Sequence, residues 1–324
     1  MALEPQCIAL SGGVGGAKLA LGLSLELAAD RLSVIVNTGD DFDHLGLRVC
    51  PDLDTLMYTL SGKANQELGW GQASETWSFL SALSDLGGED WFKLGDRDLA
   101  THVLRTQMLG SGSSLTDATR ALMTALGVKT VVLPMTDDRV ATEIHCQSGE
   151  TLAFQHYFVR DQCEPPISGV SFSGMESARR TTQFNALLEA EAAASVIICP
   201  SNPFVSVAPI LDLQDTWRRL REQSGPVVAV SPIVAGMALK GPAAKMMQEL
   251  DMPSTALAVA EFYQRVYPGL LQGFVIDHAD EASADAVRRL GLEVLVTATV
   301  MKDVHDKQAL ARDVLAFVSD LTAL

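Results

Sequence analysis

Leu10-Ser11-Gly12-Gly13-Val14-Gly15-Gly16-Ala17-Lys18 lies between an apolar run at residues 7–10 and an amphipathic stretch at residues 17–29. The first reads as a short buried strand and the second as a helix. Between them, four glycines in five positions let the backbone reach positive φ and approach a ligand closely. The first N–H groups of a helix have no internal partner and carry the positive end of its dipole. Strand, glycine turn and helix start together make an anion site, most often for phosphate. The next apolar, β-branched run, Leu32–Val36, completes a βαβ unit that should be parallel and right-handed.

The turn fits neither common phosphate template. In G-x-G-x-x-G, Gly13 and Gly15 serve as the first two glycines, but Lys18 stands at the third, which weakens a nicotinamide-dehydrogenase reading. In the P-loop pattern, Gly12 and Lys18 fit. Ala17 replaces its second glycine, and Leu19 replaces the hydroxyl residue that would contact Mg²⁺. Gly12, Gly13, Val14, Gly15, Gly16 and Lys18 are therefore candidate phosphate-binding residues of a different cradle. Lys18 either touches a phosphate or is a solvated helix residue.

Working outward, strands are expected at 131–133, 142–146, 151–159, 195–199, Val227–Val230, Gly273–Asp277 and 294–296. Residues 147–150 read as a hairpin turn. Residues 54–126 read as mostly helical, with breaks at 69–71, 87–88 and 95–98. Further helices are expected at 175–193, 255–266, 282–291 and 307–321. Alternating strands and helices at both ends predict an α/β fold, Rossmann-like and doubly wound. Its sheet should be mostly parallel, with helical and β-containing insertions. The chain reads as a single domain over residues 1–324, with the β-containing insertion at about 135–190.

The chain has 324 residues, a net charge of −16 and a pI near 4.7. That charge argues against nucleic acid as a partner, because phosphate backbones need basic surface. It leaves room for a small anion in a local glycine nest. Five cysteines at 7, 50, 146, 163 and 199 form no CxxC pair and read as reduced thiols. No signal peptide and no membrane-length apolar run is seen, so a cytoplasmic protein with no membrane partner is expected.

Ligands of open α/β sheets bind beyond the C-terminal strand ends. Five polar clusters fall there: the glycine turn, residues 37–41, residues 200–203, Ser231-Pro232 and Asp277-His278. The second leads into a run of acids, Asp40, Asp41, Asp43, Asp52 and Asp54. Carboxylates crowded beside a phosphate loop suit Mg²⁺, which prefers hard oxygen ligands. Asp40 and Asp54 are the candidate metal ligands, and Asp52 reads alternatively as a helix N-cap. His44, His102 and Arg105 are either functional or structural. Trp70 and Trp77 either stack on a flat ring or pack in the core. Lys240 and Lys245 flank a turn that either reaches a phosphate or is plain surface.

Blocks along nearly the whole chain resemble the CofD family, the 2-phospho-L-lactate transferases of coenzyme F-420 biosynthesis. They are residues 10–18, 36–41, 50–60, 69–71 with 75–77, 91–100, 134–138, 154–159, 200–203, 230–236 with 240–245, and 301–303. The resemblance implies transfer of a phospho-acid group from a GDP-linked donor to the terminal ribityl hydroxyl of the deazaflavin Fo, releasing GMP. The acid would be 2-phospholactate, phosphoenolpyruvate or 3-phosphoglycerate. On that reading the glycine turn holds diphosphate, Asp40 and Asp54 hold Mg²⁺, and Asp40, Asp41 and Asp52 form the catalytic group, with Asp41 or Asp52 as base. Asn37, Trp77, Ser201, Asn202, Ser231 and Pro232 would line the substrate pocket. The resemblance also implies a homodimer, linked in function to a guanylyltransferase and a glutamate ligase. The alternative is a nucleotide-sugar-binding regulator of the YvcK type, which the tryptophan blocks disfavour.

Overall fold

The computed structural model describes residues 6–190, 194–238 and 241–323. Seven strands form the main sheet: β1 (Gln6–Ser11), β2 (Leu32–Val36), β3 (Val131–Pro134), β4 (Ala194–Ile198), β5 (Val227–Val230), β6 (Gly273–Asp277) and β7 (Glu293–Thr297). Their spatial order is β7-β6-β5-β4-β1-β2-β3, and every pairing is parallel. The expected α/β, Rossmann-like sheet is therefore present. Its winding reverses between β1 and β4, and loops leaving such a reversal diverge and open a crevice.

Both faces of the sheet are covered, and the strand side chains show it by alternation. Ile8, Leu10, Val196, Ile198, Val227, Ala229, Phe274 and Ile276 enter the core on one face. Cys7, Ala9, Val34, Val36, Ile197, Val228, Val230 and Val275 enter the other. On that second face lie α1 (Gly13–Glu26), α2 (Pro51–Leu60) and the C-terminal helix Val304–Thr322, with α1 packed between the other two. Gly22 permits the closest approach, since a Cβ there would collide with the Lys307 carbonyl.

After α2 come the short α3 (Ser78–Asp85) and the longer α4 (Asp96–Gly110). The expected break at 95–98 is thus the start of α4, with Asp96 and Asp98 in its first turn, where the dipole favours acids. Within residues 135–190 stands a three-stranded antiparallel sheet, Ala141–Cys146 between Thr151–Ala153 and Ile167–Ser173. The hairpin at 147–150 forms as expected. Its second strand is shorter than read, because the chain turns into a single π-helical turn at His156–Arg160. The helix expected at 175–193 is only Thr182–Leu188, with residues 191–193 outside the described region.

Candidate active site

The glycine turn is the first turn of α1 itself, one full turn earlier than its composition suggests. Each glycine has its own reason. Gly13 takes φ +64. A Cβ on Gly15 would strike the Pro200 carbonyl oxygen, and one on Gly16 would crowd the hydroxyls of Ser11 and Ser201. One on Gly12 would press on Ser206 and the Asp52 carboxylate. The Gly12 N–H donates to the Ser201 Oγ at 3.2 Å, and that hydroxyl donates to the Gly12 carbonyl at 2.8 Å. Ser201 thereby ties the ends of β1 and β4 together at the reversal point.

Beyond these strand ends lies a cavity of about 170 Å³. Gly12 to Gly15 and Lys18 form one wall, and the loops after β4 and β5 form another through Ser201, Asn202, Ser231 and Pro232. The N–H groups of Val14 and Gly15 belong to the first helical turn, which has no internal partners for them. Phe154 and Phe158 add a stacked pair of rings, 5.5 Å apart and 10° from parallel. Thr299 and Met301 reach the cavity from the loop after β7. Asp277 at the end of β6 holds that loop by accepting from the Thr299 N–H at 2.8 Å and its hydroxyl at 3.1 Å.

Two carboxylates, Asp40 and Asp52, share this cavity. Asp52 is not an N-cap of its own helix, a place held by Cys50. It reaches across to α1 instead, accepting the Gly13 N–H at 2.7 Å and the Asn37 side-chain amide at 2.9 Å. Asn37 is fully buried and also donates to the Val205 carbonyl, so it positions Asp52 rather than lining the cavity. Burial pushes the Asp52 carboxyl up to about 6, and the bonds from Asn37 and Gly13 limit the rise. Asp40 is buried with its Oδ1 unpartnered. Burial first, and then the neighbouring Asp52 charge, hold its carboxyl well above the usual range. Lys18 lies in the same wall and donates to the Met301 carbonyl at 2.9 Å.

The other candidates lie elsewhere. Asp54 gives both carboxylate oxygens to the Arg105 guanidinium, and His102 stands between Asp54 and Asp98 at 3.6 and 3.4 Å. Tyr58 donates to Asp98 at 2.5 Å, closing a buried network between α2 and α4. Asp41 faces this network and Arg48, 3.7 Å away, and burial pushes its carboxyl up to about 7. His44 packs edge-on against Trp91 at 5.1 Å beside Phe92. Trp77 meets Trp70 edge-on at 6.2 Å and lies outside the cavity lining. Lys245 pairs with Glu249, and Lys240 lies outside the described residues.

Sequence reading missed Phe154, Phe158, Val205, Ser206 and Thr299 as cavity residues, since none stands in a strand-end polar cluster. For the two phenylalanines a signal was present. Their spacing of four places both rings on one side of a helical turn.

The chain matches the family described as 2-phospho-L-lactate transferase CofD over residues 7–315. A phosphoenolpyruvate transferase of Kitasatospora aureofaciens is 39% identical over 320 residues, covering 97% of this chain and 98% of the relative. One of Mycobacterium tuberculosis (strain ATCC 25177 / H37Ra) is 38% identical over 309 residues, covering 89% and 92%. The fold is shared with a crystal structure of a UPF0052 family protein from Bacillus halodurans, at a TM-score of 0.65 and 14% identity over 97% of this chain and 100% of that one. No helix among the described residues is long and apolar enough to cross a membrane. A glycine-built anion cradle at the sheet's reversal point, two buried carboxylates facing it, and near full-length identity to transferases lead to one assignment: the chain belongs to the CofD family of transferases.

Proposed function

We propose that this transferase moves a phosphoenolpyruvyl group from a GDP-linked donor to the terminal ribityl hydroxyl of the deazaflavin Fo. The name shared by its relatives supports the acid, and the family resemblance supports GDP and Fo. A guanylyltransferase would supply the donor and a glutamate ligase would consume the product. The acceptor oxygen attacks the phosphorus that carries the enolpyruvyl oxygen. Its bond to the bridging oxygen of the GMP moiety breaks, and GMP leaves. The hydroxyl proton passes to Asp52, whose carboxyl near 6 matches a base operating around neutrality.

The observation that carries this reading is the pair Asp40 and Asp52 at the mouth of an anion cradle. A diphosphate there faces two carboxylates, an arrangement that calls for a divalent cation between them. The unpartnered, buried Asp40 Oδ1 fits that need. Asp40 would hold Mg²⁺ in this reading, leaving Asp52 as the base, because the Asp54 carboxylate is already bound by Arg105. When bound, the ion neutralises charge developing on the phosphoryl oxygens. Asn37 fixes the Asp52 rotamer, and the Val14 and Gly15 amides orient the phosphates.

Mass spectrometry of products formed from Fo, GTP, phosphoenolpyruvate and a guanylyltransferase tests this. The wild type should give the enolpyruvyl product. Asp52→Asn should lower turnover by on the order of a hundredfold or more and remove the acid limb of its pH profile. Near-normal turnover by that variant would remove Asp52 as base. A product formed only from 2-phospholactate would overturn the donor acid.

A further inference from the structure

A second cavity, of about 120 Å³, shares Val14 and Lys18 with the first. It lies over α1 between the C-terminal half of α2, the loop around Trp70 and the start of Val304–Thr322. Its lining holds three lysines, Lys18, Lys302 and Lys307, and no carboxylate. In a chain with 40 acids against 24 Lys and Arg, that local balance is inverted.

Lys307 is only 3% exposed, and its side chain makes no hydrogen bond or ion pair with any described residue. Its stem is buried while its ammonium ends at the cavity, so a ligand anion there would be its counter-charge. The nearby acids are engaged with backbone: Asp306 accepts the Lys302 N–H at 2.9 Å, and Asp303 accepts the Asp306 N–H at 2.9 Å. The opposite wall is tied together by hydrogen bonds. The Asn65 side chain accepts the N–H groups of Glu67 and Leu68, and the Asn65 N–H donates to the Gly71 carbonyl, closing the loop that carries Trp70.

We infer that this cavity is a carboxylate subsite, which takes the acid end of the transferred phospho-acid while the diphosphate lies along the glycine turn. The inference rests on the proposed transfer. The two cavities divide the donor by charge. The uncharged nucleoside suits the larger one with its phenylalanine pair. The carboxylate is repelled by Asp40 and Asp52 and attracted by the three lysines. Thr59, Asn65 and Trp70 would then surround the small group that distinguishes one acid from another.

Calorimetric titration of the full chain with phosphoenolpyruvate, inorganic phosphate and GDP tests the assignment. Lys307→Met should weaken phosphoenolpyruvate at least tenfold and leave phosphate and GDP unchanged. Lys307→Arg should restore most of the loss. If Lys307→Met does not fold, the exposed Lys302→Ala serves in its place, with the same expected pattern. Unchanged phosphoenolpyruvate affinity, or no wild-type binding of it, overturns the subsite. Equal weakening of inorganic phosphate would show that the lysines read phosphate, and overturns it as well. Lysine-dependent binding together with no product from Fo would leave the subsite standing and remove the transfer reading.

Discussion

Asp41→Asn in the ligand-free protein should gain stability relative to wild type as the pH rises. Asp41 is 5% exposed, neither of its carboxylate oxygens has a hydrogen-bond partner, and Arg48 comes no nearer than 3.7 Å. Burial pushes its carboxyl up to about 7, against about 3.9 in an unfolded chain. A raised folded-state value means that the group's stabilising contribution is complete below about pH 4. It is lost as the pH climbs through about 7. Between about pH 5.5 and 7 each pH unit costs the native state about 1.4 kcal/mol, or about 2 kcal/mol over the interval. An unfolding entropy of about 2 cal/mol/K per residue gives about 0.7 kcal/mol/K for this chain, so the effect is about 3 °C. The melting temperature of Asp41→Asn minus that of wild type should therefore rise by about 3 °C between about pH 5.5 and 8, read by scanning calorimetry in EDTA. Taking the difference cancels His44, whose pKa is lowered by burial and which acts in the opposite sense. A difference that stays flat across this range would refute the burial argument. One that falls with pH would mean that the Arg48 charge outweighs desolvation.

Gly15→Ala puts a methyl group against the Pro200 carbonyl, and the strand-end loops have no slack to receive it. A loss of about 1–3 kcal/mol in urea unfolding is expected, with weaker GDP binding by calorimetry. Arg105→Leu leaves Asp54 buried without its partner and should cost about 3–5 kcal/mol by the same unfolding measurement. A cost below about 1 kcal/mol would show that Asp54 finds water or another cation. The helix α3 buries none of its residues; its Phe79 is 37% exposed, and Trp70, Trp77 and Leu86 beside it are 41%, 36% and 87% exposed. These exposed apolar residues predict that the chain self-associates as a dimer through α3. Phe79→Asp should halve the mass seen by light scattering, and a wild-type mass of one chain would remove the interface.

The main sheet was legible because its strands are buried on both faces and read as unbroken apolar runs between turn residues. The start of α1 was not, because glycine is a poor helix former. What requires glycine at 15 and 16 is the close approach of Pro200 and Ser201, nearly two hundred residues away. The strand Ile167–Ser173 was missed for a related reason. Ser168, Gly169, Ser171 and Ser173 interrupt its apolar pattern, and its ladder partner Ala141–Cys146 supplies the order instead.

The acids give the sharpest case. Asp40, Asp41, Asp52 and Asp54 look equivalent as a cluster, yet the structure sorts them into two pairs with different work. One rule available from the sequence would have separated Asp52 from Asp54. Pro51 marks the first position of a helix, and residues two apart on a helix point about 200° from one another. Asp52 and Asp54 therefore could not both face one ion. Which of them faces the cavity depends on which side of α2 is covered by α1 and which by α4. Arg105 settles it from the α4 side by taking Asp54, and that leaves Asp52 for the Gly13 N–H and the cavity beyond it.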